Sequence, residues 1–205
     1  AKGWGALEIP WQWDRVMLSA TEGLLDTKPG ERIDEAARER NVTPEHLVLE
    51  LSRLGGNRVM VVLFYRTEED MRTFIRSPHS MLCSDGSAIA FKQSKALPHP
   101  RSYGAAVRAL GFIGREKHDL PLEEIIYKMS GKVAAHMGIH DRGVLAVGKA
   151  ADIVAFDPAT VRDQATFTEP GQPPIGIDYV IVNGQIAVAG GVQSEVRAGK
   201  VLSAL

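Results

Sequence analysis

Residues 43–64 read TPEHLVLELSRLGGNRVMVVLF, a helix and a strand joined by two glycines. Thr43 is placed to cap the helix and Pro44 to begin it: a hydroxyl can accept one unpaired N–H of the first turn, and proline lacks an N–H where none is needed. Leu47, Val48, Leu51 and Leu54 recur at helical spacing and form one apolar face, which Gly55-Gly56 ends. Residues 58–64 then read as a short buried strand rich in Val, Met and Leu. The pattern extends outward. Residues 15–20 and 80–84 read as further buried strands, and Thr67-x-x-Asp70 opens a second helix with Met71, Phe74 and Ile75 on one face and Pro78 beyond its end. Strands alternating with helices predict parallel β/α units and an α/β fold.

Beyond residue 100 the grammar changes. Residues 103–117 and 122–137 read as two helices, the second with Leu122, Ile125, Ile126, Met129 and Val133 on one stripe. From residue 143 short apolar segments follow at 143–147, 151–156, 179–182 and 185–188, separated by Gly, Pro and Asp turns, and these predict antiparallel strands. Asn183-Gly184 between two apolar runs is a hairpin signal, because a type I′ turn needs positive φ at both central residues. A domain change is expected near residues 140–145.

The 205 residues are 44% hydrophobic, enough for a sizeable core in one large or two small domains. With 24 basic and 25 acidic residues the formal net charge is -1, which offers no electrostatic grip on nucleic acid or an anionic membrane, so a small-molecule partner is expected. No apolar stretch approaches the ~20 residues of a membrane span, and the start lacks the charged and apolar regions of a signal peptide. The single cysteine, Cys83, excludes an intrachain disulfide framework and suits a reducing compartment, the cytoplasm; within its apolar run it reads as a packed core thiol.

Ser84-Asp85-Gly86 follows the run Met81-Leu82-Cys83, which puts a carboxylate at the C-terminal end of an expected strand. In a β/α barrel that end is the active-site face, where an Asp can bind a metal or move a proton. Asp-Gly is also an ordinary turn signal. Downstream, Pro98-His99-Pro100-Arg101 predicts a stiff, extended segment able to aim Arg101 at a carboxylate, against the plainer reading of a solvated loop arginine. His99 reads as a rigid loop element, since no second histidine lies at ligand spacing.

The ordered set Ser84-Asp85-Gly86, His99-Pro100-Arg101-x-Tyr103-Gly104, Leu122-Glu123-Glu124 with Lys128-Met129, and Asp141-Arg142-Gly143 resembles the D-aminoacylase branch of the amidohydrolase superfamily. Gly148-Lys149-Ala150-Ala151-Asp152-Ile153-Val154-x-Phe156-Asp157-Pro158, Gly176-Ile177-Asp178-Tyr179-Val180 and Val182-Asn183-Gly184 are similar to the family's closing segments. One departure is local: the family commonly continues past Tyr-Gly with Thr-Phe-Pro, where this chain has Ala105-Ala106-Val107.

The resemblance implies a zinc-dependent deacylase that hydrolyses the amide of N-acyl-D-amino acids. The implied fold is the C-terminal portion of a (β/α)8 TIM-type metallo-hydrolase barrel, residues 1–142, followed by part of a small β-sandwich, residues 143–205. Asp85 inherits the family's general acid/base and can touch a second metal; Arg101 inherits the grip on the substrate's free carboxylate. The family's main metal ligands, a His-x-His, a bridging cysteine and two later histidines, have no counterpart: the histidines at 46, 79, 99, 118, 136 and 140 include no His-x-His. A whole barrel needs ~250 residues, and the 84 residues before Asp85 hold room for only two or three strand–helix units. The chain is therefore expected to be a fragment beginning near the sixth barrel strand, inactive alone, without tightly bound zinc, and prone to associate through exposed apolar surface. Two rivals stay open: a cyclic amidase of dihydroorotase or hydantoinase type, which would not need Arg101, and a non-catalytic module retaining the fold.

Overall fold

The computed structural model describes residues 11–89 and 96–202. The chain divides into two units. The first holds the described residues up to Thr67 together with Ile89, residues 96–99 and Phe167–Pro170; the second holds Glu68–Ala88, Pro100–Thr166 and the chain from Gly171 onward.

In the first unit, strand β1 (Val16–Ala20) leads through helices α1 (Ile33–Glu39) and α2 (Pro44–Gly55) to strand β2 (Met60–Leu63). The predicted cap is present, with Thr43 Oγ1 accepting from the His46 N–H at 3.2 Å. Leu47 and Leu51 of α2 close on Val16 and Leu18 of β1 and on Ile33, Ala36 and Ala37 of α1. The two strands do not run parallel as expected. They pair antiparallel, Met17 opposite Val62 and Leu18 opposite Val61. The reason is α1: one crossover helix returns the chain to the end it left and gives parallel strands, whereas two helices return it to the other end. Burial is also uneven, since β1 is buried but β2 buries only Val62.

In the second unit, α3 (Glu68–Arg76), α4 (Arg101–Arg108), a π-helical continuation (Ala109–Glu116), α5 (Leu122–Met129) and α6 (Gly131–His136) precede a four-stranded sheet. Ala109, Leu110, Ile113, Ile125 and Val161 form the core, flanked by Ile75, Leu82, Met129, Phe156 and Ile177. The expected 122–137 helix is broken at Ser130, whose φ of -129° and ψ of -81° are not helical. Phe74, expected on the inner face of α3, is 74% exposed; Ile75 alone of the predicted trio packs against the core.

Strands β3 (Ile153–Phe156), β4 (Ile177–Val182), β5 (Gln185–Ala189) and β6 (Val192–Gln193) form an antiparallel sheet in sequence order. The β4–β5 hairpin turns through Asn183 (φ 47°) and Gly184 (φ 78°), between the paired residues Val182 and Gln185, as the dipeptide predicted. Arg142 braces this turn, bonding Asp152 at 2.5 Å and Asn183 Oδ1 at 3.3 Å, while Asp152 Oδ1 accepts from the Asn183 N–H at 2.7 Å. Residues 143–147 form no strand, and Val144, Leu145 and Val147 are exposed. Among the described residues no helix is long and apolar enough to cross a membrane.

Candidate active site around Asp85 and Arg101

The segment carrying Asp85 is held from α5. Lys128 is fully buried, and its Nζ donates to the carbonyls of Ile75 (2.7 Å) and Ser77 (2.5 Å) and to Ser80 Oγ (3.1 Å). Lys132 donates to the carbonyls of Pro78 and Ser80. The Leu82 N–H then donates to the Lys128 carbonyl at 3.1 Å. Burial pushes the Lys128 ammonium below the usual lysine range, and the neighbouring Lys132 charge pushes the same way.

Each member of Ser84-Asp85-Gly86 has a local task. Ser84 Oγ accepts from the Gly86 N–H at 3.1 Å and shapes the turn. Asp85 sits at φ 47°, a left-handed conformation that Asp tolerates better than most residues. Gly86 lies flat on the first turn of α4, where an added Cβ would be 2.8 Å from Ser102 Cα and 3.0 Å from the Arg101 carbonyl oxygen. Ser102 Oγ in turn accepts from the Ser87 N–H at 3.3 Å.

This approach brings Asp85 Oδ2 to 3.0 Å from Arg101 Nη2. The Asp85 side chain is 81% exposed and that of Arg101 43%, so water screens the pair and it is worth only about 0–1 kcal/mol. Gly104 of the Tyr103-Gly104 pair is also explained: the Asp163 carboxylate stands where a Cβ would go, 2.0 Å from the Oδ1 atom.

Three expectations need correction. Residues 81–83 are not a strand, because the backbone of Leu82 bonds to the end of α5 instead of to a strand. Asp85 thus follows an irregular segment, and Cys83 is an exposed free thiol, not a core thiol. The segment before Arg101 is not extended throughout either. Pro100 already has helical φ and ψ (-52°, -25°), and its carbonyl accepts from the Tyr103 and Gly104 N–H groups, so Arg101 is the first residue of α4. His99 meets the ring of Phe167 edge to face at 5.0 Å, in keeping with a packed loop element.

The sequence placed Lys128 in a family block without a role, although it lies three residues after Ile125 and next to Met129, on the stripe facing the core. For a metal, the donor set falls short. Among the described residues no three His, Cys, Asp or Glu side chains are grouped to hold an ion, and Asp85 is engaged by a cation. These residues do not make a zinc site of the usual three or four protein ligands.

Comparison with known proteins agrees with the ordered blocks. The chain is 37% identical over 176 residues to D-aminoacylase of Alcaligenes xylosoxydans xylosoxydans, a match that covers 83% of this chain and 34% of that protein. The crystal structure of D-aminoacylase described as defining a novel subset of amidohydrolases superposes with a TM-score of 0.80 at 32% identity, covering 92% of this chain and 38% of that one. An N-acyl-D-glutamate deacylase from Bordetella bronchiseptica, solved with zinc and a phosphonate mimic of the tetrahedral intermediate, superposes with a TM-score of 0.74 at 30% identity, covering 85% and 34%. The chain thus spans about a third of the length of the relatives it matches. Residues 5–188 match the model of the amidohydrolase family. With that match, relatives above 30% identity and the mixed α/β fold in agreement, the chain belongs to the amidohydrolase family.

Proposed function

We propose that this chain is the C-terminal portion of a zinc-dependent N-acyl-D-amino-acid deacylase, with Asp85 as the proton-handling carboxylate and Arg101 as the grip on the substrate's free carboxylate. The observation that carries this reading is the 3.0 Å approach of the two side chains. In an N-acyl amino acid a single carbon separates the scissile amide nitrogen from the free carboxylate. A group that delivers a proton to that nitrogen and a group that binds that carboxylate must therefore be neighbours. The Arg101 fork suits a bidentate carboxylate contact. D-aminoacylase and N-acyl-D-glutamate deacylase among the relatives support the substrate class.

The reading keeps the C-terminal portion of a (β/α)8 barrel within residues 1–142, where the antiparallel pair β1–β2 cannot belong to the barrel's parallel strands, and takes 143–205 as part of a β-sandwich. It assigns the zinc cage to residues outside those described, and a metal contact of Asp85 would be secondary. The lone thiol suits a reducing compartment such as the cytoplasm.

The test is turnover by the full-length, zinc-loaded protein on N-acetyl-D-amino acids, their L enantiomers and cyclic amides. D-selective hydrolysis of the linear substrates is expected; faster turnover of cyclic amides would replace the reading with a cyclic amidase. The 205-residue chain alone is expected to show no deacylase activity and to retain no zinc after dialysis. One retained equivalent with stereoselective hydrolysis would overturn the assignment of the metal cage.

A further inference from the structure

We propose that Lys128 is a positioning residue for Asp85: buried in α5, it fixes the segment between α3 and Asp85 through its ammonium group and its backbone carbonyl together. The ammonium has three N–H donors and the structure gives it three acceptors, the Ile75 and Ser77 carbonyls and Ser80 Oγ. The Lys128 carbonyl accepts from the Leu82 N–H, so one residue grips the segment at four points, the last of them three residues before Asp85. Two of the four acceptors and donors are main-chain carbonyls at the end of α3, where helix carbonyls lack partners within the helix.

A buried lysine is a costly way to tie a loop. Taking an ammonium out of water is unfavourable, and an apolar side chain would fill the same place among Ile125, Met129 and the core without that penalty. What an apolar residue cannot do is satisfy three oxygens from three directions. Residues 81–87 belong to no strand or helix, so their course depends on such point contacts rather than on a ladder. The grip at 75–82 and the contact of Gly86 with the first turn of α4 bracket Asp85 on both sides. Lys128 touches neither reacting group; its effect on chemistry runs through the position of Asp85.

The inference rests on the reading of Asp85 as the proton-handling group, and the test separates the two. Cys83, the only cysteine of these 205 residues, is exposed and two residues before Asp85, so a nitroxide attached there in the 205-residue chain reports the order of the segment without any reaction. In Lys128→Met the label's correlation time is expected to shorten at least about twofold, in the nanosecond range of loop motion. Ser80→Ala, which removes only one acceptor, is expected to change it in the same direction by less. Asp119→Asn, which disturbs α3 without touching the Lys128 contacts, serves as the control for general loss of stability and is expected to leave the label unchanged. In the full-length protein Lys128→Met is expected to lower kcat about tenfold with KM within about twofold, as for a misplaced acid/base group. If Lys128→Met does not fold, Ser80→Ala and Lys128→Arg decide the matter. Unchanged label mobility in every folded variant overturns the inference, as does equal loosening in Asp119→Asn. A loosened label with undiminished kcat also overturns it, whereas failure of the Asp85 reading shows itself separately as full turnover by Asp85→Asn.

Discussion

Asp85 and Arg101, sixteen residues apart in sequence, face one another at 3.0 Å where Gly86, next to Asp85, lies against the first turn of α4. A carboxylate proposed to move protons is thereby partnered by the cation proposed to bind the substrate. On that proposal, a substrate carboxylate bound by Arg101 would take the place of Asp85 as its partner. Asp85 is largely in water and Arg101 nearly half so, which limits what the pair itself contributes.

Asp85→Asn keeps the shape of the side chain and removes its ability to take a proton. In the full-length, metal-loaded enzyme kcat is expected to fall by roughly 100-fold or more. Because the pair with Arg101 is exposed, the melting temperature of the variant should stay near that of the parent. Turnover above half of the parent's, in a folded and metal-loaded variant, would remove Asp85 from the mechanism.

Arg101→Lys keeps the charge and loses the fork. The contact is to a charge the substrate carries throughout the reaction, so the change should appear mainly in KM, with kcat/KM lower by roughly 10- to 100-fold. Assays on a substrate whose carboxylate is amidated provide the check. A difference between parent and variant as large on the amide as on the free acid would show that Arg101 does not hold that carboxylate.

Gly86→Ala tests the geometry that joins the two. The new methyl would meet the backbone of Ser102 and Arg101, neither of which can swing away like a side-chain tip. The segment must lift from α4, at a cost of about 1–3 kcal/mol typical of overpacking. Activity should fall through separation of Asp85 from Arg101, and hydrogen exchange at Ser87, whose N–H is bonded to Ser102, should speed up. An unchanged exchange rate there would mean that the close approach does not set the loop.

Local chemistry was legible in the sequence where a few adjacent residues decide the backbone. Thr43-Pro44 announced α2, and Asn183-Gly184 announced the β4–β5 turn, because capping and positive φ are properties of the residues themselves. Pairing was not. The run Met81-Leu82-Cys83 has strand composition, yet a strand exists only with a partner, and Leu82 finds the end of α5 instead. Helix α1 left little trace because its buried face includes two alanines beside Ile33, and without it the antiparallel pairing of β1 and β2 could not be foreseen. Among the family blocks, Arg142, Asp152 and Asn183 prove to be a brace around a turn, a structural task that the residues alone did not announce. The burial of Lys128, quoted only within a family block, stayed hidden since a lysine in a helix ordinarily faces water.

Acid stability turns on Asp119. Its side chain is 3% exposed and bonds Arg72 through both oxygens, at 2.7 and 2.8 Å, with Arg76 at 3.3 Å. The Arg72 hydrogen bonds, helped by the charges of Arg72, Arg76 and Lys117, hold its carboxyl below the ordinary value of 3.8 and outweigh the opposing effect of burial. The folded state thus binds the proton less readily than the unfolded chain. The stability this contributes is complete above the unfolded pKa and is lost as pH falls through the lower, folded one. Melting temperatures of the parent and of Asp119→Asn, followed by circular dichroism from pH 7 down to about pH 3, should therefore converge: the variant starts lower and declines less steeply. Parallel curves would show that the buried pair with Arg72 does not control the acid limb, and that the link between α3 and the turn before α5 is held by packing alone.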